Sequence, residues 1–92
     1  MSRKRIRETS RFRKDMHRAL RRGENPELMR VVLECLVESK PLTDRYRDHA
    51  LSGVYTGMRE CHVRPDWLLV YRIEDDDLIL VRTGTHSDLF RE

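Results

Sequence analysis

Apolar residues in the first half of the chain recur every three or four positions. Phe12, Met16, Ala19 and Leu20 stand at i, i+4, i+7 and i+8, the spacing that lines side chains along one helical stripe. This predicts a helix within "TSRFRKDMHRALRRG". Thr9 or Ser10 can cap it by accepting from first-turn amides. Gly23 suits the position just past the end, and Arg21 and Arg22 suit the negative end of the helix dipole. "NPELMRVVLECLVESK" repeats the pattern, with Leu28, Val32, Cys35 and Leu36 on its buried face. Asn25 is its cap, Pro26 fits the first helical position, Glu27 favours the dipole, and Pro41 blocks continuation. A link of about three residues makes the pair an antiparallel hairpin.

Beyond Pro41 the period shortens. "GVYTGMRECHV" has one modest apolar face, "WLLVYRIE" begins apolar on both faces, and "LILVRT" is short and apolar. These predict three strands, the middle one central. "RKRIRE" at the start is a weaker strand with Ile6 alone to bury. The last two strands are joined through "EDDD". A two-residue loop at Asp75-Asp76 would oppose Glu74 to Asp77, two like charges. A four-residue loop pairing Ile73 with Leu78 avoids that, and brings Tyr71 opposite Leu80 and Leu69 opposite Arg82. The expected architecture is β-α-α-β-β-β, an α+β fold with the helical hairpin on one face of an antiparallel sheet.

Length changes this picture little: 92 residues make a single domain, residues 1–92. Charge changes it more. The net +3 combines ten Lys/Arg against Glu8 and Asp15 in residues 1–22 with nine against fourteen acids in the remainder. A basic segment beside an acidic body points to a phosphate-rich or acidic partner, or else to a solvated helix face. No apolar run approaches a membrane span, and the basic N-terminus lacks the apolar core of a signal peptide. Cys35 and Cys61 form no CxxC pair, so the expected setting is a reducing cytoplasm with both thiols free, as core residues.

Four polar positions stand apart. "RDHALSG" puts His49 after the helices. "ECHVRPDW" puts His62 at a strand end, with Asp66 and Trp67 beyond a proline turn. "RTGTHSDLF" puts Arg82 at the end of the last strand, with His86 and Phe90 after it, separated by Gly84, which lets the backbone turn sharply. His17 lies beside the apolar stripe of the basic helix and reads as surface. The hairpin register gathers His62, Asp66, Arg82 and His86 at one end of the sheet. Three histidines and an aspartate are acceptable zinc ligands, but neither HxxxH nor a cysteine pair is present. The same set suits metal-free RNA cleavage. That chemistry needs a base for the 2′-hydroxyl, an acid for the 5′-oxygen, and a cation at the phosphorus. Histidine serves either proton transfer near neutrality, and the arginine fork matches phosphate oxygens. Trp67 and Phe90 either stack bases or fill the core.

The blocks "DHALSG", "RECHVRPDWLLVY" and "RTGTHSDLF", in that order, together with the basic helix "FRKDMHRALRRG", resemble the YafQ branch of the RelE-like toxins of bacterial toxin–antitoxin systems. The likeness spans nearly the whole chain. It implies the RelE-like microbial RNase fold and a ribosome-dependent endoribonuclease that cuts translated messenger RNA without a cofactor. It further implies a cognate antitoxin that holds the enzyme inactive, with operator DNA reached only through that antitoxin and no membrane contact. By matching position it assigns catalysis to His49, His62, Asp66 and His86, the strand-end arginine to Arg82, and the aromatic residues to Trp67 and Phe90. Arg13 and Arg18 of the basic helix are the expected RNA contacts. The chain departs from many relatives in carrying Tyr55 where they have tryptophan. The alternatives are a binding-only protein on the same fold, such as a topoisomerase inhibitor, which has no need of a histidine cluster, and a degenerate relative that no longer cuts.

Overall fold

The computed structural model describes residues 3–90. Strand β1 (Arg5–Glu8) leads into helices α1 (Ser10–Arg21) and α2 (Pro26–Val37). Then follow β2 (His49–Ala50), β3 (Arg59–Arg64), β4 (Trp67–Glu74), β5 (Asp77–Gly84) and a final short helix α3 (His86–Phe90). The helix ends follow from their capping residues. The Thr9 hydroxyl accepts from the Phe12 N–H at 2.9 Å, and Asn25 Oδ1 from the Glu27 N–H at 3.0 Å.

The five strands form one sheet in the order β1-β5-β4-β3-β2. The sheet is mixed where an antiparallel one was expected, because β1 runs parallel to β5, pairing Ile6 with Leu78 and Glu8 with Leu80. A parallel pair needs a long crossover, and the helical hairpin begins it. Beyond the expected elements stand β2, which adds an outer strand on β3, and α3, which gives the chain end a regular shape. "GVY", expected as strand, is instead a 3-10 turn over Gly53–Tyr55.

The β4–β5 hairpin corrects one expectation about its turn. The pairs Ile73–Leu78 and Tyr71–Leu80 stand as expected, but the turn is the two residues Asp75 and Asp76, and Glu74 does face Asp77. The like charges are tolerated because each has cationic neighbours. Asp77 accepts from Arg5 at 3.1 Å and Arg7 at 3.2 Å, and Glu74 lies 3.0 Å from Arg72. Those arginines hold the Asp77 carboxyl below its usual range, Arg7 contributing most.

Alternation along β4 splits the interior into two layers. Trp67, Leu69 and Tyr71 pack with Leu78 and Leu80 against Phe12, Ala19, Met29, Val32 and Leu36 of the hairpin. Leu68 and Val70 turn to the opposite face, under Leu51, Tyr55, Met58, Val81, Leu89 and Phe90. Cys61 is buried in the helix-side layer, where desolvation pushes its thiol up to about 12; Cys35 is partly buried, and both are free. Leu20, expected on the buried stripe, is exposed. Among the described residues no helix is long and apolar enough to cross a membrane.

Candidate functional site

The face opposite the hairpin carries the polar residues in lateral rows. His49 pairs with Glu60, Glu60 with Val70, and Val70 with Arg82, one row across four strands. The next row runs from His62 through Leu68 to Gly84. Gly84 has no side chain, and His86 begins α3 two residues beyond it. His86 therefore folds back over the end of that row.

The three histidine rings meet. His49 and His62 lie 6.5 Å apart between ring centroids, and His62 and His86 lie 5.6 Å apart edge to face. His62, in the middle, has a side chain only 14% exposed, while His49 and His86 are 49% and 40% exposed. The outer two thus reach solvent and the central one is shielded.

Hydrogen bonding fixes how the outer rings present their nitrogens. Asp66 Oδ1 lies 2.7 Å from His86 Nδ1 and accepts the His86 backbone N–H at 3.0 Å. These bonds, the backbone one first, hold the Asp66 carboxyl below its usual range. An ionised carboxylate only accepts, so His86 Nδ1 carries the hydrogen and Nε2 is left for chemistry. His49 is set in the same sense: its Nδ1 lies 2.6 Å from the Arg47 carbonyl oxygen, which also only accepts.

Glu60 is the residue that the sequence reading missed. It is 4% exposed, and its Oε1 stands 3.4 Å from His49 Nε2 and 3.6 Å from His62 Nε2. Its Oε2 is buried without a hydrogen-bond partner among the described residues. Glu60 Oε1 thus stands at ion-pair distance from the Nε2 atoms of both histidines, a contact that favours a ring when it carries a second proton. The available signal was its place two residues before His62 in a strand, which sets both on one face.

Next to this cluster the Tyr71 hydroxyl donates to Asp48 Oδ1 at 2.6 Å, and Arg59 binds the same carboxylate. Burial, and then the bond to Asp48, raise the Tyr71 hydroxyl above its ordinary value. The residue before His49 is thus tied to the core. Phe90 is half-buried and meets Tyr55 edge to face at 5.7 Å.

Arg82 occupies a different position from that expected. It pairs with Val70, where Leu69 was expected, because a bulge at Val81 slips the register by one residue. Its Nε and Nη2 bond Asp15 of α1 at 2.8 and 3.0 Å, and its side chain is 13% exposed. The cluster therefore unites His49, His62, Asp66 and His86, while Arg82 is held at the α1 edge of the same face.

Trp67 is a correction. It was a candidate base-stacking residue, but it is 1% exposed and its ring fills the helix-side core. It opens β4 on the face occupied by the hairpin, so the core reading holds. Arg13 lies exposed on α1, beside Ser10, Lys14, His17 and Arg21. Arg18 is not free for RNA in the same way, since it bonds Asp15 at 3.3 Å and lies 3.7 Å from Asp88.

Among the described residues no group of three or more His, Cys, Asp or Glu is arranged to hold a metal ion.

Known proteins place this geometry. Residues 4–91 match the family described as the bacterial toxin of type II toxin–antitoxin system, YafQ. The chain is 38% identical over 80 residues to the mRNA interferase toxin YafQ of Escherichia coli K12, covering 86% of this chain and 87% of the relative. A copper-bound mutant toxin from Helicobacter pylori superposes with a TM-score of 0.91 at 39% identity, over 95% of this chain and 99% of the other. An E. coli DinJ–YafQ complex superposes with a TM-score of 0.86 at 35% identity, over 95% of this chain and 98% of the other. The chain belongs to the YafQ family of toxins of bacterial type II toxin–antitoxin systems.

Proposed function

We propose that the protein is an endoribonuclease that cuts messenger RNA on the ribosome by metal-free acid–base catalysis, and that a cognate antitoxin holds it in check. The observation that carries the reading is the run of three neighbouring histidine rings, flanked by Asp66 on one side and Glu60 on the other. A toxin that worked by binding alone has no use for it. The E. coli relative described as an mRNA interferase supports the substrate, and the DinJ–YafQ complex supports an antitoxin partner.

The reaction requires the 2′-oxygen to lose its proton and bond to phosphorus while the 5′-oxygen leaves and gains a proton. The products are a 2′,3′-cyclic phosphate and a 5′-hydroxyl. His86 serves as one proton-transfer group through Nε2, its ring set by Asp66. The His49–Glu60–His62 group serves as the other. A single RNA strand would lie along this face, with Phe90 as a stacking surface.

Primer extension on a defined transcript, with and without translating ribosomes, tests this reading. Cleavage confined to translated RNA, and persisting when chelator is added at levels that leave the ribosomes intact, is the expected result. The copper-bound relative makes metal dependence the competing outcome. Activity lost to chelator and restored by copper or zinc would replace the acid–base mechanism.

A further inference from the structure

Among the described residues, the buried charge left without a role in that chemistry is Asp15. It is 4% exposed on a helix that is otherwise basic. Its carboxylate accepts from Arg82 Nε at 2.8 Å, Arg82 Nη2 at 3.0 Å, the Thr83 N–H at 3.2 Å and Arg18 Nη2 at 3.3 Å. The reason lies in the topology. Strand β1 pairs with β5 only as far as Glu8 opposite Leu80. Past that point the β5 edge has no strand beside it, and α1 takes its place. Asp15 caps the Thr83 amide there and grips the preceding arginine by two of its donors.

A two-point grip on a guanidinium fixes its plane and direction, which a single contact does not. The guanidinium keeps its charge in any case, and the Asp15 bonds raise its pKa further. Tyr55 packs with Val81, the residue before Arg82, on the layer formed by Leu68 and Val70, and meets Phe90 edge to face. Arg82 is thus held by α1 at the edge of the face that carries the aromatic pair and the histidine cluster. Arg18 also touches Asp15, so neutralising the charge did not require this geometry.

We propose that Asp15 is a positioning residue for RNA cleavage, orienting Arg82 so that its charge is held in a fixed direction at the edge of the histidine-bearing face. The inference rests on the endoribonuclease reading. Arg82 then meets a phosphate oxygen of the bound strand, and Asp15 acts only through it.

The test is single-turnover cleavage at saturating ribosome, at a temperature well below melting, for wild type, Asp15→Asn, Arg82→Ala, Arg82→Lys and the double variant Asp15→Asn/Arg82→Ala. A lost charge-stabilising donor slows the chemical step roughly 10²–10³-fold, so Arg82→Ala should fall in that range. Asp15→Asn should slow it about tenfold or more, with ribosome affinity unchanged. The double variant should be no slower than Arg82→Ala alone. Arg82→Lys keeps the charge without the fork, and should not restore the rate. Additive losses in the double variant would make Asp15 a stability residue and overturn the proposal. A fully active Arg82→Lys would overturn it even if Asp15→Asn does not fold. A wild type that never cleaves removes the endoribonuclease reading itself; a cleaving wild type matched by Arg82→Lys removes the positioning role alone.

Discussion

His86 is held by two bonds to one carboxylate oxygen, and Gly84 gives it room. Asp66 fixes the ring and the backbone of His86 together, so losing the imidazole should affect chemistry more than folding. His86→Gln is expected to cut single-turnover cleavage at least about a hundredfold, since a positioned acid or base contributes roughly 10²–10⁴-fold. Ribosome affinity and melting temperature should stay near wild type. A retained rate with a lowered melting temperature would make His86 a tether for α3. Gly84 has a distinct part. A Cβ there would meet Asp88 Cβ and Oδ2 at 2.9 Å. Gly84→Ala should therefore push α3 and His86 off the sheet, costing roughly 1–3 kcal/mol as overpacking does, and lowering cleavage along with stability. At this scale the sequence disclosed residues whose type announces proton chemistry. It hid Glu60 and Asp15, because a carboxylate in a strand or helix reads as surface until its neighbours across the fold are known. It left Trp67 open between core and site, because the side of β4 that a residue faces depends on where the strand begins.

Helix α3 was not legible as an element. Five residues carry too little periodicity to distinguish a helix from a tail, and what makes it regular comes from elsewhere. The Thr85 hydroxyl accepts the Asp88 N–H at 3.0 Å, and Asp88 accepts the Thr85 N–H at 2.9 Å, a reciprocal capping pair. Arg22, at the end of α1, clamps the same carboxylate at 2.6 and 3.3 Å. The long elements were legible by contrast, because their apolar period repeats over several turns and their caps are local. The β4–β5 register was right as far as Leu80, and the bulge at Val81 shifted Arg82. No single-strand pattern announces such a bulge, since it answers to α1 and to the bonds that Thr9 makes with Leu80 and Val81. The α3 clamp predicts a pH signature. Arg22 foremost, with Thr85 and Arg18, depresses the Asp88 carboxyl far below its ordinary value. A depressed carboxylate stabilises the fold above the unfolded-state pKa, and that contribution is lost as pH falls through the folded value. Asp88→Asn should therefore destabilise by on the order of 1 kcal/mol at neutral pH, as lost caps do. The gap to wild type in urea midpoint should be full above about pH 5 and close steadily below about pH 4. A gap that persists unchanged into strong acid would mean the pair with Arg22 adds nothing.

Across the whole molecule, charge is divided by surface. The net +3 comes from an N-terminal segment rich in Lys and Arg set on an acidic remainder. Not all of the basic residues are available to a partner. Arg18 and Arg22 are bonded to Asp15 and Asp88, and Arg5 and Arg7 to Asp77. Arg13, Lys14 and Arg21 share one exposed groove with Ser10 and His17. That row of cations should follow an RNA backbone, with the neighbouring ribosome supplying the phosphates. Reversing Arg18 to Glu would tear the Asp15 and Asp88 bonds and confuse binding with folding. Arg13→Glu combined with Lys14→Glu avoids that, because both side chains are exposed and the bond Arg13 makes, to the Glu8 carbonyl at 3.4 Å, is long and on the surface. The double variant should bind ribosomes more weakly while melting as wild type does. For single-stranded RNA, log affinity should fall with log salt at a slope of about −0.7 per phosphate contact. Removing two contacts should flatten that slope by about 1.4. If the slope and ribosome binding are both unchanged, this face of α1 is only solvated, and the RNA must be held through the histidine-bearing face alone.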